Sequence, residues 1–250
     1  MNNPNNTNRE NIIKLRELIN SSSNIVFFGG AGVSTESNIP DFRSNDGLYK
    51  SPNKYKYPPE YMLSRSFFMS HTKDFYDYYK SEMIYPKARP NDAHIVLAKL
   101  EKERKLKAVI TQNIDGLHQE AGSKEVLELH GSVHRNYCMD CNKSYPLDFI
   151  MESKDIPTCT CGGIVKPDVV LYEEGLDSYV LDRSVYYIKN ADLLIVGGTS
   201  LTVYPAAGLL HYYNGNKLVL INKSATDYDR SAKLVISDSI GKVLKEALSK

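Results

Sequence analysis

Apolar positions along this chain fall into two rhythms that trade places. Between Asn11 and Asn20, Ile12, Ile13, Leu15, Leu18 and Ile19 keep near-helical spacing, and the polar run from Ser21 to Asn24 ends it. Ile25 to Phe28 then form a short continuous apolar run that opens into Gly29-Gly30-Ala31-Gly32. Runs of the same kind stand at 107–110, 126–129, 169–171, 193–196, 217–221 and 233–236, and helical patterns fall at 92–103, 176–189, 204–213 and 239–248. Short runs buried on both faces, alternating with helices, predict an α/β fold built on a doubly wound parallel sheet.

Two segments break the alternation. Residues 37–89 are rich in Pro, Tyr and Ser with a helical pattern at 72–84, and residues 133–166 hold all four cysteines. They predict a smaller helical and metal-binding lobe at the mouth of the sheet, with the cleft between lobes as the pocket. The expected boundaries are a flexible Asn-rich leader at 1–8, a sheet domain from 9–36, 90–132 and 167–250, a helical insertion with a loop at 37–89, and a cysteine-bearing insertion at 133–166. Polar residues stand just past predicted strand ends: Gln112, Asn113 and Asp115 after one, His130 after the next. In an open α/β sheet that edge is where ligands bind.

Charge and cysteine content narrow the function classes. Lys and Arg total 31 against 30 for Asp and Glu, so no overall field draws the chain to nucleic acid or to a membrane surface, and neither is an expected partner. No apolar run approaches the roughly 18 residues of a spanning helix, and the start carries no basic-then-apolar signal. The expected location is the cytoplasm, where four cysteines point to a metal or free thiols rather than disulfides. Cys138 with Cys141 and Cys159 with Cys161 make two close pairs. Four thiolates close a tetrahedral zinc site and leave no open position, which makes it structural rather than reactive.

Two glycine turns suggest a phosphate-bearing ligand. GGAGVS at 29–34 follows a strand and can aim backbone N–H groups at a pyrophosphate, although alone it also fits a turn needed only for helix packing. GGTSL at 197–201 repeats the design, and Ile221-Asn222 follows a third strand. Together they suit one extended ligand with phosphates, ribose and a base.

GAGVSTESNIPDFR at 30–43, TQNID at 111–115, HG at 130–131, the two cysteine pairs, GTSLTVYPAA at 198–207 and IN at 221–222 occur in one order along nearly the whole chain. In these pieces the chain closely resembles the sirtuins, bacterial-type NAD-dependent protein deacylases. The resemblance implies a Rossmann-like NAD-binding domain, a smaller helical and zinc-binding domain, and NAD as a consumed cosubstrate. It places Gly30, Ala31, Gly32 and Thr35 in the NAD cradle and Asp41, Phe42 and Arg43 on a covering loop. Gln112, Asn113, Ile114 and Asp115 would surround nicotinamide and its ribose; Gly198, Thr199, Ser200 and Asn222 the phosphates and adenosine ribose; Ser239 and Ile240 the adenine. His130 would be the general base, a task suited to a side chain titrating near neutrality, and Asn113 would position a water or the ribose.

The same resemblance implies the reaction. An acyl-lysine carbonyl oxygen attacks C1′ of the nicotinamide ribose, nicotinamide leaves an alkylimidate, and His130 draws a proton from the ribose diol. Free lysine and O-acyl-ADP-ribose result. The expected partners are acyl-lysine proteins or peptides, and the expected state is a monomer. An NAD-sensing or ADP-ribosyl-transferring protein with weak deacylase activity is the alternative; a zinc-organised nucleic-acid binder would need a basic face that the charge balance does not show. Three departures stand out: Gly29 for a Thr, Asn38 for a Gly, and Glu173 for a Gly in the loop expected to clasp substrate. Where succinyl- or malonyl-specialised sirtuins carry Tyr-x-x-Arg, this chain has Tyr76 and Tyr79, so acetyl is expected over succinyl unless Lys80 turns inward. Read in isolation, Asn113 and Asp115 would cap a helix near Gly116, and His71, His94, His118, His134 and His211 are read as routine core or loop residues.

Overall fold

A computed structural model of the chain describes residues 4–42, 47–48 and 55–249. The strands are β1 Ile25–Gly29, β2 Leu106–Thr111, β3 Val126–Glu128, β4 Gly131–Cys138, β5 Ser144–Tyr145, β6 Val165–Val169, β7 Leu193–Gly197, β8 Leu218–Ile221 and β9 Leu234–Ile236. Six of them make one sheet in the order β3-β2-β1-β7-β8-β9, every pair parallel. The chain builds outward from β1 in one direction and from β7 in the other, so the winding reverses between these two strands. That is the switch point where doubly wound sheets bind ligands.

Both faces of the sheet are covered. Phe27, Val109 and Ile195 pack with Leu15, Leu97 and Val243 from the helices Pro4–Asn20, Asp92–Lys102 and Ile240–Leu248. Val26, Phe28 and Val196 face Ile188 and Leu210 on the other side. Each buried Phe or Ile contributes about 1.5–3 kcal/mol, which fixes the strand centres and leaves their ends free for chemistry. The first helix starts at Pro4, inside the stretch expected as a flexible leader, because proline tolerates a helix's first position. Asn8 Nδ2 donates to Asp238 Oδ2 at 2.9 Å, and Arg16 donates to the carbonyls of Ala247 and Glu246 at 2.8 and 2.9 Å. Among the described residues no helix is long and apolar enough to cross a membrane.

The apolar run at 169–171 belongs to a different sheet from the one its pattern suggested. β6 ends at Val169 and pairs antiparallel with β4, which also pairs with β5. Its burial alternates along Val165–Val169, as expected of a strand with one covered face. The 204–213 pattern forms a 3-10 segment, Ala206–Tyr212. The 72–84 pattern divides into the α-helix Thr72–Tyr78 and a π-helical turn, Tyr79–Met83.

Phe67, Phe68, Phe75, Tyr76 and Tyr79 pack with Val133, Val165, Cys138 and Cys159 in one core. Edge-to-face contact of Phe68 and Phe75 at 4.9 Å and stacking of Phe75 on Tyr79 at 5.5 Å consolidate it. The two insertions thus share a single lobe.

Candidate active site

The turns leaving β1 and β7 meet at the switch point. Gly30 N donates to Gly197 O at 3.3 Å and Gly32 N to Gly198 O at 2.8 Å. A Cβ on Gly32 would stand 2.7 Å from Gly198 Cα, and one on Gly30 2.9 Å from Thr199 Cβ, so glycine alone permits this approach. Thr35 Oγ1 donates to Gly32 O at 3.0 Å. Asn91, the N-cap of Asp92–Lys102, braces the loop from outside: its Nδ2 donates to Val33 O at 2.8 Å and to Ser37 Oγ at 2.9 Å. Asn38 takes φ 62°, a left-handed conformation that Asn tolerates better than most residues.

A polar relay runs from this cradle toward β8. Gln112 Nε2 donates to Thr199 Oγ1 at 3.0 Å, and Thr199 N donates to Asn222 Oδ1 at 3.0 Å. Asn222 Nδ2 is buried without a partner and borders the cavity. An unpaired buried donor costs about 1–3 kcal/mol, which a ribose hydroxyl or phosphate oxygen would relieve. The glycine cradle and this orphaned amide fit a dinucleotide. Ser239 stands at the N-cap position of the helix Ile240–Leu248 without a side-chain capping bond, and Glu36 Oε2 accepts from Gly241 N at 2.8 Å, joining the cradle to that helix.

A second network centres on Ser34, which is buried. Its hydroxyl donates to Asp115 Oδ2 at 2.6 Å and accepts from Asn113 Nδ2 at 3.0 Å. Asp115 Oδ1 also accepts from Leu117 N at 2.9 Å, so this carboxylate both caps the turn Leu117–Glu120 and faces the cavity. His134 Nε2 donates to Asp115 O at 3.0 Å across Gly116, where a Cβ would stand 2.7 Å from the ring.

His130 is half-buried at the end of β3. Its Nδ1 lies 3.0 Å from Gln112 O. A carbonyl only accepts, so Nδ1 carries the hydrogen and Nε2 of the neutral ring keeps a lone pair. Burial lowers the His130 pKa, opposed by the Gln112 carbonyl, so the ring is neutral at pH 7. A neutral imidazole with a fixed tautomer is a base in waiting.

These groups line one cavity of about 1130 Å³ between the lobes. Gly30, Ala31, Gly32, Thr35, Asp41, Phe42, Gln112, Asn113, Ile114, Asp115, His130, Gly198, Thr199, Ser200, Asn222, Ser239 and Ile240 all border it. Arg43 lies outside the described residues. Sequence reasoning missed Ser34, although it ends the GGAGVS stretch, and placed His134 among routine histidines although it borders the cavity. It also missed the apolar end formed by Leu63, Met83, Ile84, Leu147 and Leu171. Tyr76, Tyr79 and Lys80 are not among the lining residues: Tyr76 OH donates to Val165 O at 2.5 Å, and Lys80 Nζ donates to Ser153 O and Oγ at 2.7 Å each.

The four cysteine ligand atoms lie within 4.8 Å of one another. The Sγ separations Cys138–Cys161, Cys141–Cys159 and Cys141–Cys161 are 3.4, 3.6 and 3.4 Å. Tetrahedral zinc with Zn–S bonds near 2.3 Å requires about 3.8 Å, so a small outward adjustment accommodates the ion. Cys159 is lowered to about 6 by the Cys161 backbone N–H and by Tyr145 OH, which donates to its sulfur at 2.9 Å. Although the Gly163 N–H lowers Cys161, its three sulfur neighbours push it up to about 12. Four thiolates cannot coexist here without a cation, and the donor set fits zinc.

The Sir2 family model matches residues 30–205. The NAD-dependent protein deacetylase of Clostridium acetobutylicum is 64% identical over 241 residues, covering 96% of this chain and 98% of that protein. The protein of the same name from Clostridium tetani is 68% identical over 232 residues, covering 92% and 94%. Among solved structures, a Sir2 variant with deacetylated p53 peptide and 3′-O-acetyl ADP ribose superposes with TM-score 0.86 at 40% identity, covering 94% of this chain and 96% of that one. A Sir2 complex with p53 peptide and NAD+ superposes with TM-score 0.82 at 39% identity over the same shares.

Proposed function

The chain belongs to the Sir2 family, and from that membership we propose how its own residues carry out NAD-dependent protein-lysine deacetylation. When bound, NAD supplies an electrophilic ribose carbon and a leaving nicotinamide. Gly30, Ala31, Gly32 and Thr35 cradle its phosphates with Gly198, Thr199 and Ser200, while the unpaired Asn222 amide takes the adenosine ribose and Ser239 and Ile240 border the adenine. Asp41 and Phe42 cover the ligand. Gln112, Ile114 and the Ser34–Asn113–Asp115 network hold the nicotinamide end in one orientation.

The observation that carries this reading is His130. Its Nδ1–H is committed to Gln112 O and burial keeps the ring neutral, which leaves Nε2 to take a proton from the ribose diol. Asn113, fixed through Ser34 and through its own N–H donating to Thr111 Oγ1 at 3.0 Å, positions the ribose or a water. Zinc held by Cys138, Cys141, Cys159 and Cys161 keeps the small lobe folded and takes no part in proton transfer.

The acyl end of the cavity is apolar, and among the described lining residues the one lysine, Lys223, follows β8 beside Asn222. Acetyl and other uncharged acyl groups suit this wall better than succinyl, whose buried carboxylate would lack a cation. Nicotinamide release that requires an acetyl-lysine peptide supports deacetylation. Release of equal size without peptide, with ADP-ribose transferred to protein, would support the sensing or transferring alternative instead.

A further inference from the structure

Adjacent carboxylates beyond β6 have different surroundings. Glu174 is neutralised: Arg65 Nη1 reaches its Oε1 at 3.0 Å and Lys166 Nζ its Oε2 at 3.1 Å. Glu173 is exposed, and among the described residues no cation pairs with it. Its Oε2 accepts from Ser66 N at 2.9 Å and from Ser66 Oγ at 2.6 Å, which lowers its pKa and keeps it ionised.

The backbone around Glu173 is held from both sides. Tyr172 N donates to Leu63 O and Arg65 N to Tyr172 O, each at 3.0 Å, and Val170 N donates to His130 O at 3.0 Å. The loop therefore joins the helical insertion to the residue proposed as the base. Glu173 adopts φ 76°, a strained conformation for a side-chain-bearing residue. Glu173 lines the cavity together with Glu82 and Glu174, whereas Lys223 stands past another strand. An anchored, ionised and uncompensated carboxylate at the cavity wall is suited to a cation brought by the substrate.

We propose that Glu173 is a specificity-determining residue that selects acyl-lysine substrates carrying Lys or Arg close to the modified lysine. This rests on the deacetylase reading of the cavity. The acyl-lysine is itself uncharged, so a flanking basic side chain supplies the charge that Glu173 meets. The preference acts on substrate binding and therefore on KM, with kcat on different flanks nearly equal. Because the carboxylate is exposed, salt weakens the preference.

The test uses acetyl-lysine peptides identical except for a single Arg, Gln or Glu at each position flanking the acetyl-lysine. Wild type, E173Q and E173K are compared for kcat and KM, and for peptide affinity by fluorescence anisotropy. At 50 mM salt the wild-type Arg-to-Glu ratio in kcat/KM is expected to be about 2- to 5-fold at the best position, the scale of an exposed ion pair. The ratio should approach one in E173Q, invert in E173K and shrink for wild type at 500 mM salt. A ratio as large in E173Q as in wild type, or no wild-type preference at any position, overturns the proposal. If no peptide is turned over, the deacetylase reading fails, and the anisotropy ratios still decide whether Glu173 selects a cation.

Discussion

Ser34→Ala tests the network that fixes Asn113 and Asp115. The substitution deletes a donor 2.6 Å from Asp115 Oδ2 and an acceptor 3.0 Å from Asn113 Nδ2 at a buried position. A hydrogen bond to a charged group contributes about 1.5–3 kcal/mol and a neutral one about 0.5–1.5. Asp115 is half-buried at an open cavity, so water recovers part of its loss and the expected total is about 2 kcal/mol. For a chain of this length each kcal/mol lowers Tm by about 2–4 °C, which gives a fall of about 4–8 °C. Freed Asn113 and Asp115 no longer hold the reacting groups, and kcat/KM should fall about 100-fold, the scale of a 1 Å misplacement. Thermal denaturation and deacetylation kinetics are measured for S34A, N113A and the double variant. The double variant should lose less stability than the two single losses added, with a coupling of about 0.5–1.5 kcal/mol. A Tm within about 1 °C of wild type, together with additive effects, would refute the network.

Acid stability should follow the buried histidine pair. Burial lowers His94 to about 4, against the charge of Asp115, and burial followed by His94 lowers His118 to about 3. Unfolded histidine protonates near 6.5, so below that pH the unfolded chain binds more protons and stability falls with pH, by about 2 kcal/mol per histidine at pH 5. Urea denaturation of H118L should show about half this loss between pH 7 and pH 5, and an unchanged loss would contradict the assignment. Metal analysis should find one zinc per chain, bound more weakly as pH falls because its ligands are thiolates; chelation should lower Tm. Metal-free protein whose Tm is indifferent to chelator would reject the zinc site. On matched peptides acetyl-lysine should exceed succinyl-lysine at least about 10-fold in kcat/KM, as expected when a carboxylate is buried without a cation. K80A should leave that ratio unchanged, since Lys80 is turned to Ser153; equal use of succinyl would overturn the apolar acyl wall.

What could be read from the sequence was set by local physics. Parallel strands buried on both faces appear as plain apolar runs, so Ile25–Phe28 and Leu193–Val196 were visible, and the tight turns beyond them need glycine where two backbones touch. β4 was missed because GSVHRNYC carries no such run; it exposes His134 and Arg135 and pairs with the two-residue β5 and with β6, which lies farther along the chain. The run 169–171 misled because it straddles a strand end rather than marking a central strand. His134 reaches Asp115 only because Gly116 lacks a side chain, a consequence of tertiary approach that spacing does not encode. The apolar acyl wall gathers Leu63, Met83 and Leu147 from separate segments, and its composition emerges only when the two insertions form one core.

His130 is proposed as the base for an NAD-consuming deacetylation. Its most direct test is to follow one reaction of NAD with an acetyl-lysine peptide and quantify nicotinamide, deacetylated peptide and O-acetyl-ADP-ribose for wild type and H130A. Wild type should form the three products in equal amounts. H130A should still bind NAD but form deacetylated peptide at least about 100-fold more slowly. Undiminished deacetylation by H130A, or wild-type nicotinamide formed without deacetylated peptide, would contradict it.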